Sequence, residues 1–126
     1  RSSFRILEHL HKMADSGGRK VLIYGVGANS LPALREIIHN PRLNLTLVGF
    51  IDDDEESQGI QIDGYPVLGS LDALESILQE HAIAEVIVSR NDIAMQRLSR
   101  LAEICRSHRI SLRRFQTRLE EVFLPT

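Results

Sequence analysis

The stretch from Lys20 to Ser30, KVLIYGVGANS, constrains the fold of this 126-residue chain more than any other. Lys20 to Tyr24 is short, β-rich and almost wholly apolar. A strand apolar on both faces needs a sheet covered on both sides, the usual situation of parallel strands. Gly25-Val26-Gly27-Ala28-Asn29-Ser30 then turns the chain. Behind the turn, Leu31, Leu34, Ile37 and Ile38 recur at helical spacing. Pro32 lies near the helix start, where its missing N–H costs little.

The rest of the chain continues the alternation. Leu45 to Ile51 (LTLVGFI) reads as a second strand that stops at Asp52-Asp53-Asp54. Gly59 to Gly64 reads as a loop or small hairpin, and Tyr65 to Leu68 as a short third strand. Ser70 is the expected N-cap of a helix carrying Leu71, Leu74, Ile77 and Leu78. Ala84 to Ser89 is a fourth strand. Ala94, Leu98, Leu101 and Cys105 mark a further helix, Ile110 to Phe115 a fifth strand, and Thr117 to Val122 a short closing segment. Ahead of the first strand, Phe4, Leu7, Leu10 and Ala14 predict an amphipathic lead-in helix ended by Gly17-Gly18. This order predicts an α/β, doubly wound, mainly parallel five-stranded sheet with helices on both faces. The expected division is a lead-in helix over 1–17, the α/β domain over 18–118 and a tail over 119–126.

Composition narrows the function classes. The formal net charge of −2 gives no reason to expect nucleic-acid binding. The single cysteine, Cys105, excludes an internal disulfide and falls on an apolar stripe, as an inert core residue does. No apolar run reaches the roughly 18 residues of a membrane span. The chain starts at Arg1 without an initiator Met, so the expectation is a piece of a longer protein.

The candidate site follows from the glycine turn. Gly25 permits a tight exit from the strand. Gly27, without a Cβ, lets a phosphate approach the backbone, and the helix behind offers free N–H groups and the positive end of its dipole. Ala28 and Asn29 complete the turn. Ser30 stands where the dinucleotide fingerprint has its third glycine, and its hydroxyl can donate to a phosphate. Asp52 ends the second strand about 25 residues after Gly27, the spacing of a ribose-binding acid, with Asp53 beside it. Acids there repel a 2′-phosphate and favour an NAD-like ligand over NADP. Asp54, Glu55 and Glu56 read as a solvated loop. Ser89 and Arg90 follow the fourth strand at the same sheet edge and are placed to meet a phosphate or sugar. The competing reading makes Gly25 and Gly27 a plain strand–helix turn, and Ser89-Arg90 a turn with a solvated arginine.

Other residues supply no catalytic or metal assignment. The five histidines are scattered without metal-ligand spacing. Neither Tyr24 nor Tyr65 has a lysine four residues on, and there is no phosphate-binding Gly-Lys-Ser/Thr string. Arg97, Arg100, Arg106, Arg109, Arg113, Arg114 and Arg118 make the last third basic, which suits a solvated face, a membrane surface or an acidic partner.

The strings VLIYGVGANS, LVGFIDDD, GIQIDGYPVLGSLDAL and EVIVS resemble the Rossmann-like "CoA-binding" domains of bacterial polysaccharide-biosynthesis proteins. Such domains accompany membrane nucleotide-sugar dehydratases and polyprenyl-phosphate sugar-phosphate transferases. The resemblance implies nucleotide binding near Gly25, Gly27 and Asp52, with an NAD-like dinucleotide, coenzyme A and a UDP-sugar all open as ligand. N-terminal domains of sugar acyltransferases share GFIDDD-like and PVLGS-like strings. Their glycine-glycine-histidine turn is replaced here by Ala28-Asn29-Ser30.

The resulting expectation is a non-catalytic nucleotide-binding module, regulatory or docking, in a glycan-assembly transferase. It would lie in the cytoplasm, meeting a membrane only through the rest of its parent. Two alternatives stay open: the cofactor-binding part of a nucleotide-sugar dehydratase or oxidoreductase, and a degenerate scaffold used for homo-oligomerisation.

Overall fold

The computed structural model describes residues 18–27, 30–116 and 122. The predicted lead-in helix, Ala28, Asn29, the tail, and the closing segment apart from Val122 lie outside the described residues. Six strands and three α-helices follow one another: β1 Arg19–Tyr24, α1 Ser30–His39, β2 Leu45–Ile51, β3 Gln61–Ile62, β4 Tyr65–Gly69, α2 Leu74–His81, β5 Glu85–Val88, α3 Met95–Ser107 and β6 Ser111–Arg114. They form one sheet in the order β3-β4-β2-β1-β5-β6. Every pairing is parallel except β3 with β4.

The doubly wound architecture is as expected, with one strand more than predicted. The additional strand is β3, in the stretch read as a loop or small hairpin. Gln61 pairs with Pro66 and Ile62 with Tyr65 across the Asp63-Gly64 turn. Both turn residues have positive φ, 52° and 85°, as a tight two-residue hairpin requires.

β1 shows why its apolar run is continuous. Val21 and Ile23 pack on one face with Ala33, Leu34 and Ile37 of α1 and with Leu47, Phe50, Val67 and Ile87. Leu22 and Tyr24 pack on the other with Leu74, Ile77 and Leu78 of α2 and with Leu101 and Cys105 of α3. Alternate side chains of one strand thus feed two cores. Cys105 is one of these core residues, and burial pushes its thiol up to about 11.

β2 carries a bulge that sets which side chains face which core. Val21 pairs with Leu47 but Leu22 with Gly49, leaving Val48 as the extra residue. This puts Leu47 and Phe50, three apart, in the same core. Gly49 allows the close approach of β4: a Cβ there would lie 2.6 Å from the Pro66 carbonyl oxygen and 3.1 Å from Leu68 Cδ1. Because the nearer atom is backbone, Gly49→Ala is expected to destabilise the fold by about 2 kcal/mol, as overpacking does. Urea unfolding of the variant and the parent chain checks this.

The start of the α2 region departs from expectation. Ser70 makes no side-chain cap; a 3₁₀ turn over Leu71–Ala73 precedes α2. The free N–H of Leu71 instead donates to Asp53 Oδ1 at 3.0 Å. A carboxylate from another loop replaces the local hydroxyl at a position where an anion is favoured.

Candidate functional site

β1, β2 and β5 end level with one another. Tyr24 is in register with Ile51 on one side and Val88 on the other. The next residues, Gly25, Asp52 and Ser89, therefore leave the sheet side by side. This edge is also where the chain switches direction: β2 and β4 lie to one side of β1, β5 and β6 to the other. Crevices at such switch points are where open α/β sheets take ligands. A cleft of about 160 Å³ opens here, floored by Tyr24 and Gly25 and walled by Asp52, Asp53, Arg90 and Arg97.

Gly25 has φ 106°, and its N–H donates to Ile51 O at 2.8 Å. A Cβ on it would meet Arg90 Cγ at 2.5 Å and Cδ at 2.7 Å, so the arginine stem lies directly on the turn. Gly27 is different: a Cβ there would have nothing within 4 Å. No contact among the described residues requires glycine at position 27.

Among the described residues, the polar side chains predicted for the site are brought to this edge, and most also brace it. Asp52 is 3% exposed. Its Oδ1 accepts from Val26 N–H at 2.9 Å and its Oδ2 from Asp54 N–H at 3.1 Å. The carboxylate thereby ties the glycine turn to the end of β2. Ser30 Oγ donates to Gly27 O at 2.7 Å, so its proton is directed into the turn. Ser89, 1% exposed, donates from Oγ to Gly25 O at 2.7 Å and from its N–H to Tyr24 O at 3.0 Å. Of the predicted residues, Arg90 brings a positive charge to the cleft. Its Nε and Nη2 grip Asp92 Oδ1 and Oδ2 at 2.9 and 2.7 Å, and its Nη1 lies 4.0 Å from Asp52 Oδ1.

Asp53 is a hub. Its Oδ1 takes the Leu71 N–H, and its Oδ2 accepts from the Tyr24 hydroxyl and meets Arg97 Nη1 at 3.1 Å. Asp54 caps the Glu55–Ser57 turn, accepting from Glu56 N–H at 3.0 Å. Tyr24, Asp92 and Arg97 are site residues that sequence reasoning did not select. Arg97 stood out only as one of seven arginines in the basic last third. Among the described residues three of those have acidic partners: Arg97 on Asp53, Arg100 on Asp72 and Arg113 on Glu85.

Burial, and then the neighbouring Asp53 carboxylate, push the Tyr24 phenol well above its ordinary range. The group is therefore a hydrogen-bond donor in the cleft, not a base. In the unfolded chain it ionises near pH 10, as an ordinary tyrosine does. Above that pH the unfolded chain binds fewer protons than the folded one, and stability falls as pH rises. Tyr24→Phe is expected to flatten the fall in melting temperature between pH 9.5 and 11 relative to the parent chain. An unchanged slope would remove Tyr24 as its source.

Among the described residues no group of three His, Cys, Asp or Glu side chains is placed to hold a metal ion. No described helix is long and apolar enough to cross a membrane.

A family model described as a CoA-binding domain matches residues 2–114. The chain belongs to that family. Beyond the family, this CoA-binding domain is similar to the probable polysaccharide biosynthesis protein EpsC of Bacillus subtilis, at 23% identity over 122 residues. The match takes in 97% of the chain but 20% of EpsC, so the chain spans about a fifth of that relative. Among solved structures, UDP-D-quinovosamine 4-dehydrogenase from Vibrio fischeri superposes with a TM-score of 0.65 over 75% of each chain, at 21% identity. The Rex-family repressor RSP in complex with β-NADH superposes with a TM-score of 0.60, covering 94% of this chain and 56% of that one, at 19% identity. At these identities the structural likenesses establish the fold. The domain thus shares its architecture with a dehydrogenase and with a repressor, so the fold alone does not fix a function.

Proposed function

We propose that this CoA-binding domain is a nucleotide-binding module that regulates or docks a larger, membrane-associated polysaccharide-biosynthesis protein. It would work in the cytoplasm or at the cytoplasmic face of the membrane. The observation that carries the reading is the cleft at the switch point, where the Gly25 turn, Arg90 and Arg97 face one opening beside Asp52 and Asp53. Glycine at position 27, which no described contact requires, agrees with a ligand approaching the backbone there. The family description and the NADH-bound structural neighbour support the nucleotide, and the relative supports the polysaccharide-biosynthesis setting.

The ligand classes are an NAD-like dinucleotide, coenzyme A and a UDP-sugar, which share a diphosphate. Asp52, Asp53 and Asp54 cluster at the end of β2, and their charge disfavours a 2′-phosphate at that end. NADH should accordingly bind better than NADPH. Isothermal titration of the chain with NADH, NADPH, coenzyme A and UDP-N-acetylglucosamine tests the reading. Saturable binding of at least one, at submillimolar Kd, is the expected result. Absence of binding by all four at millimolar ligand would remove the proposal.

A further inference from the structure

We infer that Arg90 and Arg97 are the anion-binding pair of the cleft, and that Asp92 occupies the Arg90 fork in place of a ligand diphosphate. The inference rests on the nucleotide reading above and names the chemistry recognised.

Three observations carry it. The first is placement. The Arg90 stem lies on the Gly25 turn, and its Nη1 stands 4.0 Å from Asp52 Oδ1, the atom that accepts from Val26 N–H, so the guanidinium lies beside the turn. The second is geometry. Asp92 binds Arg90 through two parallel contacts of 2.9 and 2.7 Å, the fork arrangement that phosphate oxygens match equally well. The third is size. The cleft measures about 160 Å³, whereas small-molecule sites usually span roughly 300–1,000 Å³. Asp92, the carboxylate seated on the Arg90 fork, is among the residues that line the cleft.

The two arginines differ in how they are held. Asp92 is two residues from Arg90, and its side chain is 67% exposed. An exposed local ion pair contributes little to stability, so a ligand anion can replace it at small cost. Asp53 is not exchangeable in this way, because the Tyr24 hydroxyl and the Leu71 N–H also fasten it. It serves as a post that positions Arg97 at the cleft wall, engaging it through Nη1. Ligand binding therefore exchanges the Arg90 partner and leaves the Arg97 post in place. Asp92 sets the affinity as an internal competitor.

The test is titration of the parent chain, Asp92→Asn, Asp54→Asn and Arg90→Ala with NADH and, separately, with inorganic pyrophosphate. Asp92→Asn should bind either probe about fivefold tighter, the worth of a released surface pair. Asp54→Asn removes the same charge from the cleft without touching Arg90, and keeps an oxygen to cap its own turn. It should gain less than Asp92→Asn does. Arg90→Ala should bind about thirtyfold more weakly, as when a charge-assisted contact is lost. Equal gains in Asp92→Asn and Asp54→Asn, or no gain in Asp92→Asn, would overturn the competitor role and leave the nucleotide reading standing. Failure of the parent chain to bind NADH, NADPH, coenzyme A or UDP-N-acetylglucosamine in the titration above would end that reading, and this inference with it.

Discussion

Asp52→Ala is expected to lower stability by about 3 kcal/mol, since it strips two backbone N–H groups of a charged acceptor at a buried position. The donors are Val26 N–H and Asp54 N–H, and the carboxylate between them is 3% exposed. No other described group is placed to take over both. Asp52→Asn is the informative partner variant. Its amide oxygen can keep one of the two bonds, while its NH₂ group faces the second N–H without accepting it. About half of the loss should return. Guanidinium unfolding of both variants gives the comparison. A full loss in Asp52→Ala with full retention in Asp52→Asn would mean that shape, not acceptor chemistry, holds the turn.

The second large effect is expected at the opposite end of the sheet. Glu85 is 0% exposed on β5, between β1 and β6. Arg113 Nε meets its Oε2 at 2.6 Å, and Arg19 Nη1 lies 3.2 Å from its Oε1. Both arginine side chains are half exposed. The cost of the trio thus falls on the carboxylate. Removing both cations with Arg19→Ala and Arg113→Ala leaves a buried charge without a counter-ion, for a loss of about 3 kcal/mol after allowing for solvent near the arginines. Glu85→Met removes the buried charge itself and returns two arginines to water. It should cost markedly less than the double variant, since replacing a buried ion by an apolar side chain of similar volume is often close to neutral. Thermal melts of the two proteins at the same pH decide between them. Equal losses would mean that the trio matters through packing alone.

These residues also show where sequence reading stops. The order of strands and helices was legible because each element carries its own period, and Lys20 to Tyr24 announces burial on both faces. The glycine turn, Asp52 and Arg90 were legible as neighbours because the doubly wound order brings strand ends to one edge. What each side chain does there was not legible. Ser89 reaches Gly25 only because β5 lies beside β1, and Asp52 reaches Val26 only because β2 lies on its other side. Sequence spacing carries no trace of such pairs. The same holds for Glu85, which reads as part of an apolar strand until Arg19 and Arg113 arrive from neighbouring strands.

The Ser70 cap and the strand count depart from the sequence reading for different reasons. Ser70 has the chemistry of an N-cap, but Asp53 from another loop takes the Leu71 N–H. A long-range carboxylate overrode a local propensity. β3 had a local signal in Asp63-Gly64, a residue pair suited to tight hairpins. Its strand is only two residues long, too short for any alternation to show.

The central claim is that the edge bearing Gly25, Arg90 and Arg97 receives a nucleotide. The most direct test is an amide NMR titration of the chain with NADH, coenzyme A and UDP-N-acetylglucosamine. At least one should move the amides of Gly25, Val26, Gly27, Arg90 and Arg97 in a saturable, dose-dependent way. Leu45 and Glu85, at the opposite end of the sheet, should stay in place. Shifts confined to Leu45 and Glu85, or none at millimolar concentrations of all three, would contradict the account.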